Sequence, residues 1–147
     1  MTEEKKVISI LIADDDDDDV MLIRKALKEY RFLNEVYRVK DGEELMDYLL
    51  RRGEFCDPDQ YPLPNLILLD LNMPRKDGRE ALKEIKSNPE LHQIPITILT
   101  TSKADEDVIR SYDLGVNSFV TKPVELKEFM EVIRNIGEYW LEIVQLP

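Results

Sequence analysis

Cysteine, histidine and tryptophan each occur once in the 147 residues, and glycine only five times. With Cys56 alone, no internal disulfide can form, and a cytoplasmic setting fits best. The single histidine, His92, falls in a turn between a helix signal and a strand signal and reads as a surface residue. Basic side chains are scarce: 20 against 31 acidic ones leave a formal charge of −11. No basic stripe offsets that excess, so neither nucleic acid nor an anionic membrane is an expected partner. No apolar run is long enough to span a bilayer, and the start, Met1 to Lys6, lacks the apolar core of a signal peptide. Internal repeats are missing too.

What remains is a composition of 43% hydrophobic and 35% charged residues, which suits one globular domain with a sizeable core. The chain turns on Leu66-Ile67-Leu68-Leu69-Asp70. Four aliphatics between Pro64-Asn65 and Pro74 are too short for a free helix and read as a buried parallel strand that ends on a carboxylate. An isolated aspartate there would be a cap or turn residue. Here other strand ends carry matching chemistry.

Val7 to Ala13 is the first strand signal, and it runs into six consecutive aspartates, Asp14 to Asp19. Val20, Ile23, Leu27 and Tyr30 then recur at helical spacing, so Asp16 to Asp19 read as a cap and as partners of the helix dipole. An EF-hand calcium loop counted from Asp14 fails, since Asp19 holds the glycine position and Lys25 the bidentate glutamate position. Glu35 to Val39 is a short second strand near the sheet edge. Asp41-Gly42 opens a helix with Leu45, Met46, Leu49 and Leu50 on its buried face. The long proline-containing loop from Gly53 to Pro64 fits either a contact surface or simple drift, and drift is the plainer account. Lys76-Asp77-Gly78 opens a helix with Ala81, Leu82 and Ile85, ended by Asn88-Pro89. Pro95 to Leu99 is the fourth strand, closing on Thr100-Thr101-Ser102. A helix from about Ala104 stops at Gly115. Val116 to Thr121 is the fifth strand, followed by Lys122-Pro123 and a last helix from about 125 to 145.

Five strands alternating with five helices indicate an α/β fold, a doubly wound parallel sheet. In the order 2-1-3-4-5, the crevice lies at the carboxyl ends of the first and third strands. Those ends bring Asp14, Asp15 and Asp70 together, with Thr100 and Lys122 opposite. Three crowded carboxylates stay ionised only beside cations, and hard oxygen ligands of this kind suit Mg²⁺. A nucleophilic carboxylate, a charge-cancelling metal and two fixed donors are what an acyl-phosphate site requires.

On these motifs (Asp14-Asp15, Asp70 with Met73-Pro74 and Asp77-Gly78, Thr100, and Lys122-Pro123) the chain resembles the receiver domain of two-component response regulators, from about Val7 to the final helix. The resemblance implies the flavodoxin-like (βα)5 fold and a single receiver domain over 1–147 with its core at about 7–136. It implies Asp70 as phosphoacceptor, Asp15 as main metal carboxylate, Asp14 acting mostly through water, and the carbonyl of Asn72 completing the Mg²⁺ site. Lys122 would pair with the phosphoryl group and Thr100 would bond to it. Phe119 falls at the aromatic switch position, often Tyr in the family; the alternative is an ordinary core aromatic. Thr101 replaces a residue that is often small and would slow the approach of water to the acyl phosphate.

The implied phosphodonor is a histidine on a partner sensor kinase. The proline-containing loop and the tail look similar to stand-alone receivers paired with phytochrome-type kinases. With no effector segment after the last helix, output is expected through protein contacts with a downstream target. Phosphorylation would draw Thr100 toward the new oxygens, with Phe119 filling the space. The last helix carries more apolar residues than one packing stripe needs, notably around Tyr139-Trp140-Leu141, and a homodimer or partner contact is expected there. Two other functions fit the pattern less well. A haloacid dehalogenase-type phosphohydrolase would carry a second aspartate two residues after its nucleophile, where this chain has Asn72. A flavodoxin-like electron carrier would need a glycine- and hydroxyl-rich loop where the six aspartates stand.

Overall fold

Leu66–Asp70, buried at every position, is the middle strand of a five-stranded parallel sheet. The computed structural model describes residues 7–28, 33–73, 75–101, 116, 118–122, 125–132 and 134–135. In chain order these hold β1 (Val7–Ala13), α1 (Asp17–Lys28), β2 (Leu33–Val39), α2 (Gly42–Leu49), a 3-10 turn (Gly53–Phe55), β3 (Leu66–Asp70), α3 (Gly78–Ser87), β4 (Ile96–Thr100) and β5 (Ser118–Thr121). Residues 126–132 and 134–135 are helical. The sheet order is β2-β1-β3-β4-β5, as expected. The helix expected from about 104 and the apolar surplus at 139–141 lie outside the described residues.

Both faces of the sheet are covered, which is why the middle strand β3 is aliphatic up to Asp70, while the edge strand β2 (Leu33–Val39) alternates polar and apolar residues. Leu11, Ala13, Ile67, Leu69 and Ile98 point to one side, where Leu45, Met46, Ala81, Leu82 and Ile85 from α2 and α3 close over them. Ile10, Ile12, Leu66, Leu68, Leu99 and Val120 point to the other, against Val20, Ile23 and Leu27 of α1 and Phe129. Register then aligns the carboxyl ends. Ala13 lies opposite Leu69, Asp70 opposite Leu99, and Thr100 opposite Thr121.

The helix starts follow their capping chemistry. Asp41 accepts from the Glu44 amide at 2.8 Å, while the Glu44 carboxylate accepts from the Lys40 amide at 2.8 Å. Asp77 caps α3 by accepting from the Arg79 amide at 2.7 Å. Each such cap stabilises its helix by about 1 kcal/mol.

Several boundaries differ from the expected ones; β5 begins at Ser118, with Val116 outside the strand. β2 begins at Leu33, two residues before Glu35, because the whole of β1 offers it a ladder from Val7 onward. β4 runs to Thr100, so that residue ends the strand instead of following it. Leu50, expected on the buried face of α2, is 38% exposed. The helix ends at Leu49, and Leu50 is its C-cap, rotated off the stripe. Tyr48 is buried in its place, and its ring organises the loop that follows. Phe55 and Tyr61 pack on it with ring centroids 5.3 and 5.7 Å away, and its hydroxyl donates to the Pro62 carbonyl at 2.8 Å. That part of the loop is anchored to the core, which drift alone does not explain.

α2 and the segment after β3 are in close contact through Gly42. A Cβ built on it would lie 2.1 Å from the Lys76 carbonyl oxygen. Arg75, at a positive φ of 65°, reaches over the same junction to Glu43 at 2.9 Å and Asp41 at 3.6 Å. Gly42→Ala must push these backbones apart, and a loss of about 2–3 kcal/mol is expected in urea unfolding, with the unfolding slope unchanged.

Candidate functional site

The carboxyl edge of the sheet gathers the predicted residues from four elements. Asp14, immediately after β1, is fully buried, and Asp70, the last residue of β3, is 1% exposed. Asp15 is exposed beside them. One oxygen from each of the three carboxylates lies within 4.8 Å of the others. Lys122, one residue past β5, extends its ammonium to 3.0 Å from Asp70 Oδ2 and 3.5 Å from Asp14 Oδ1. Its own amide donates to the Thr100 carbonyl at 2.8 Å, which ties the start of the lysine to the end of β4.

Each carboxylate is oriented by its neighbours. Asp70 Oδ1 accepts from the Asn72 amide at 2.9 Å, leaving Oδ2 to the lysine. Asp14 Oδ1 accepts from the Asp16 amide at 2.9 Å, while Asp14 Oδ2 is buried and has no hydrogen-bond partner. Thr100 is 2% exposed at the end of β4. Phe119 is partly buried against the core that contains α2 and α3, across from Ile98. Asn72 is exposed, and its described role is the amide bond to Asp70.

Two contributors are not expected from the sequence. Asp19, whose position suggests only a cap and dipole partner, is 8% exposed, and its Oδ2 lies 2.9 Å from the Lys122 ammonium. A signal for it is present: positions 19, 23, 26 and 27 form one buried stripe of α1, so an aspartate there faces inward. Arg38 on β2 donates from Nε to the Asp14 carbonyl at 3.0 Å and pairs with Asp17 at 2.8 Å. It braces the turn that presents the acidic pair.

Three carboxylates thus face one ammonium, and a fourth, Asp15, stands beside two of them. Burial pushes the Asp14 carboxyl up from its ordinary value of 3.8 to about 7, helped by the Asp70 and Asp19 charges and opposed by the Asp16 amide and Lys122. For Lys122, burial works against the charge, but the close Asp19 and Asp70 carboxylates and the attraction of Asp14 outweigh it. Its pKa therefore lies above the ordinary lysine value. The ammonium is charged at neutral pH, and the pocket remains short of positive charge. The unpartnered Asp14 Oδ2, the exposed Asp15 carboxylate and Asp70 make a hard oxygen set suited to a divalent cation. A carboxylate with such a set and an ammonium both close to it fits attack on a phosphoryl group.

Asp14 makes the metal-free fold sensitive to pH in a definite direction. Its carboxyl ionises near 3.8 in the unfolded chain and only near 7 in the fold. Its favourable contribution is therefore complete below the unfolded value and is lost as pH rises through about 7. In chelator-treated protein, unfolding free energies measured from pH 4 to 8 should show a loss on the order of 3 kcal/mol that Asp14→Asn lacks.

Comparison with known proteins places this geometry. The family model described as response regulator receiver domain matches residues 10–134. Response regulator Rcp1 of Synechocystis sp. is 46% identical over 126 residues, covering 86% of this chain and 84% of that protein. The solved structure of the phosphorylated cyanobacterial phytochrome response regulator RcpA is 43% identical with a TM-score of 0.78, covering 92% of this chain and 95% of that one. The Mn²⁺-bound form of Rcp1 is 44% identical with a TM-score of 0.77, covering 95% and 99%. The match of sequence over most of the chain and of the sheet order places the protein in the response regulator receiver domain family, as a signalling phosphoacceptor.

Proposed function

We propose that Asp70 is the residue that takes the phosphoryl group. The observation that carries this reading is its surroundings: the buried Asp70 carboxylate has the Lys122 ammonium at 3.0 Å and the Asp14 and Asp15 oxygens within 4.8 Å. A carboxylate oxygen of Asp70 attacks phosphorus, the bond from phosphorus to the donor breaks, and the leaving group departs with its electron pair. The donor is a phosphohistidine on a partner sensor kinase, since His92 is the chain's own single histidine and lies exposed past α3, away from the carboxyl edge. Lys122 holds a phosphoryl oxygen and offsets its charge. Thr100, at the adjoining strand end, supplies a hydroxyl to another.

Asp14, Asp15 and Asp70 would hold Mg²⁺, with the Asn72 carbonyl as a further oxygen. The metal supplies cancellation of negative charge, so that an anionic donor can approach an anionic nucleophile. The relative solved with Mn²⁺ supports a divalent ion at this kind of site. Asp14 then serves as an ionised ligand, because a cation beside it opposes the effect of burial.

The output follows from Thr100 and Phe119. Movement of Thr100 toward the phosphoryl oxygens opens space along β4 and β5, and the half-buried Phe119 ring on β5 takes it up. The surface beyond β5 is then altered for a downstream protein. Likeness to phytochrome response regulators supports a phytochrome-type kinase as the partner. A cytoplasmic, stand-alone receiver that dimerises through its C-terminal helix is the arrangement this reading favours. Among the described residues no helix is long and apolar enough to cross a membrane.

Intact-mass analysis after incubation with acetyl phosphate and Mg²⁺ tests the assignment. Wild type should gain the mass of one phosphoryl group, and Asp70→Asn and chelator-treated wild type should gain none. A gain that survives in Asp70→Asn would assign the acceptor elsewhere. Thr100→Ala should still be phosphorylated but should lose any phosphorylation-dependent change in kinase or target binding. Binding that responds as in wild type would disprove the coupling.

A further inference from the structure

Asp19 differs from the aspartates around it. Asp16, Asp17 and Asp18 are exposed at the start of α1, where the helix dipole and solvent account for them. Asp19 is 8% exposed, and its Oδ2 is 2.9 Å from Lys122 Nζ, nearer than Asp70 at 3.0 Å or Asp14 at 3.5 Å. It is not one of the three carboxylates grouped for a metal ion. A buried carboxylate is costly unless it is paired, and its pair is Lys122 at 2.9 Å.

The ammonium has three N–H donors, and three carboxylates face it, from the end of β1, the end of β3 and the first turn of α1. On the reading given above, Asp14 and Asp70 both change state during the reaction, one in binding a cation and the other in becoming an acyl phosphate. Asp19 changes in neither step. The lysine stem is long and flexible, and the bond from its amide to Thr100 fixes only its root.

We propose that Asp19 is a positioning residue that acts through Lys122. It holds the ammonium at the α1 side of the pocket, where a phosphoryl oxygen on Asp70 finds it in place. Without Asp19 the ammonium has only Asp70 and Asp14 left to pair with. It closes onto Asp70 Oδ2, already 3.0 Å away, and occupies an oxygen that must attack phosphorus. The proposal rests on the assignment of Asp70 and Lys122 made above.

The test is a double-mutant cycle with wild type, Asp19→Asn, Lys122→Ala and the pair, using acetyl phosphate as donor with saturating Mg²⁺. The phosphoryl group passes from the acetyl oxygen to Asp70 and acetate leaves, so intact mass against time gives the rate. Mn²⁺ affinity is measured separately by electron paramagnetic resonance. Asp19→Asn should react about tenfold more slowly than wild type, hold Mn²⁺ within about threefold, and add no further loss to Lys122→Ala. Asp19→Glu, which keeps the charge, should recover most of the rate. Losses that multiply in the double variant, a fall in Mn²⁺ affinity that matches the fall in rate, or an Asp19→Asn rate equal to wild type would each overturn the role. A wild type that takes up no phosphoryl group would overturn the Asp70 assignment and this proposal together. A phosphorylated wild type matched by Asp19→Asn overturns this proposal alone.

Discussion

One ammonium held among three carboxylates, with a fourth close by, is the constraint on which the carboxyl edge of this protein depends. Lys122 lies within 3.5 Å of oxygens from Asp14, Asp19 and Asp70, and Asp15 stands exposed beside the first and last of these. Like charges at this spacing repel one another, and at Asp14 their effect adds to that of burial, which is the larger cause of its raised carboxyl. The lysine alone does not restore balance. A pocket built this way accepts further cations readily and tolerates an added anion only once they are present. Phosphoryl transfer with a divalent ion requires both properties.

The sheet makes the crowding possible. The central strands bury aliphatic residues on both faces and carry their charged side chains at the carboxyl ends, and the register sets those ends side by side. The loops are then fixed by close backbone contact. Gly78 is an example: a Cβ there would lie 2.4 Å from the Asp70 carbonyl oxygen. The turn after β3 can therefore fold tightly beneath the carboxylate it presents. Asp77, which caps α3 from the same turn, adds a second constraint on its path.

Strand ends are legible in a sequence because a short aliphatic run that stops on a charged residue fits little besides a buried strand reaching the sheet edge. Asp14, Asp70 and Lys122 stand out that way, and the structure brings all three together. Asp19 does not, because six aspartates in a row conceal which one faces inward. Only the 19, 23, 26, 27 stripe of α1 separates it from its neighbours. Leu50 misleads for a similar reason: apolar periodicity continues past the last helical residue, while the backbone turns away there. The neighbouring Tyr48 is easily passed over as amphipathic, although its hydroxyl finds a carbonyl partner that lets the ring stay inside.

That tyrosine also determines how the segment after α2 can vary. Its ring meets Tyr37 from β2, Phe55 from the 3-10 turn and Tyr61 beyond it, with centroids between 5.3 and 6.1 Å away. Four aromatics from a strand, a helix and a loop thus form one unit. A graft that exchanges residues 53–63 with those of a relative would have to carry matching rings at 37 and 48, or leave a hole beneath the transplanted segment. The packing thus couples positions 37 and 48 to whatever fills 53–63.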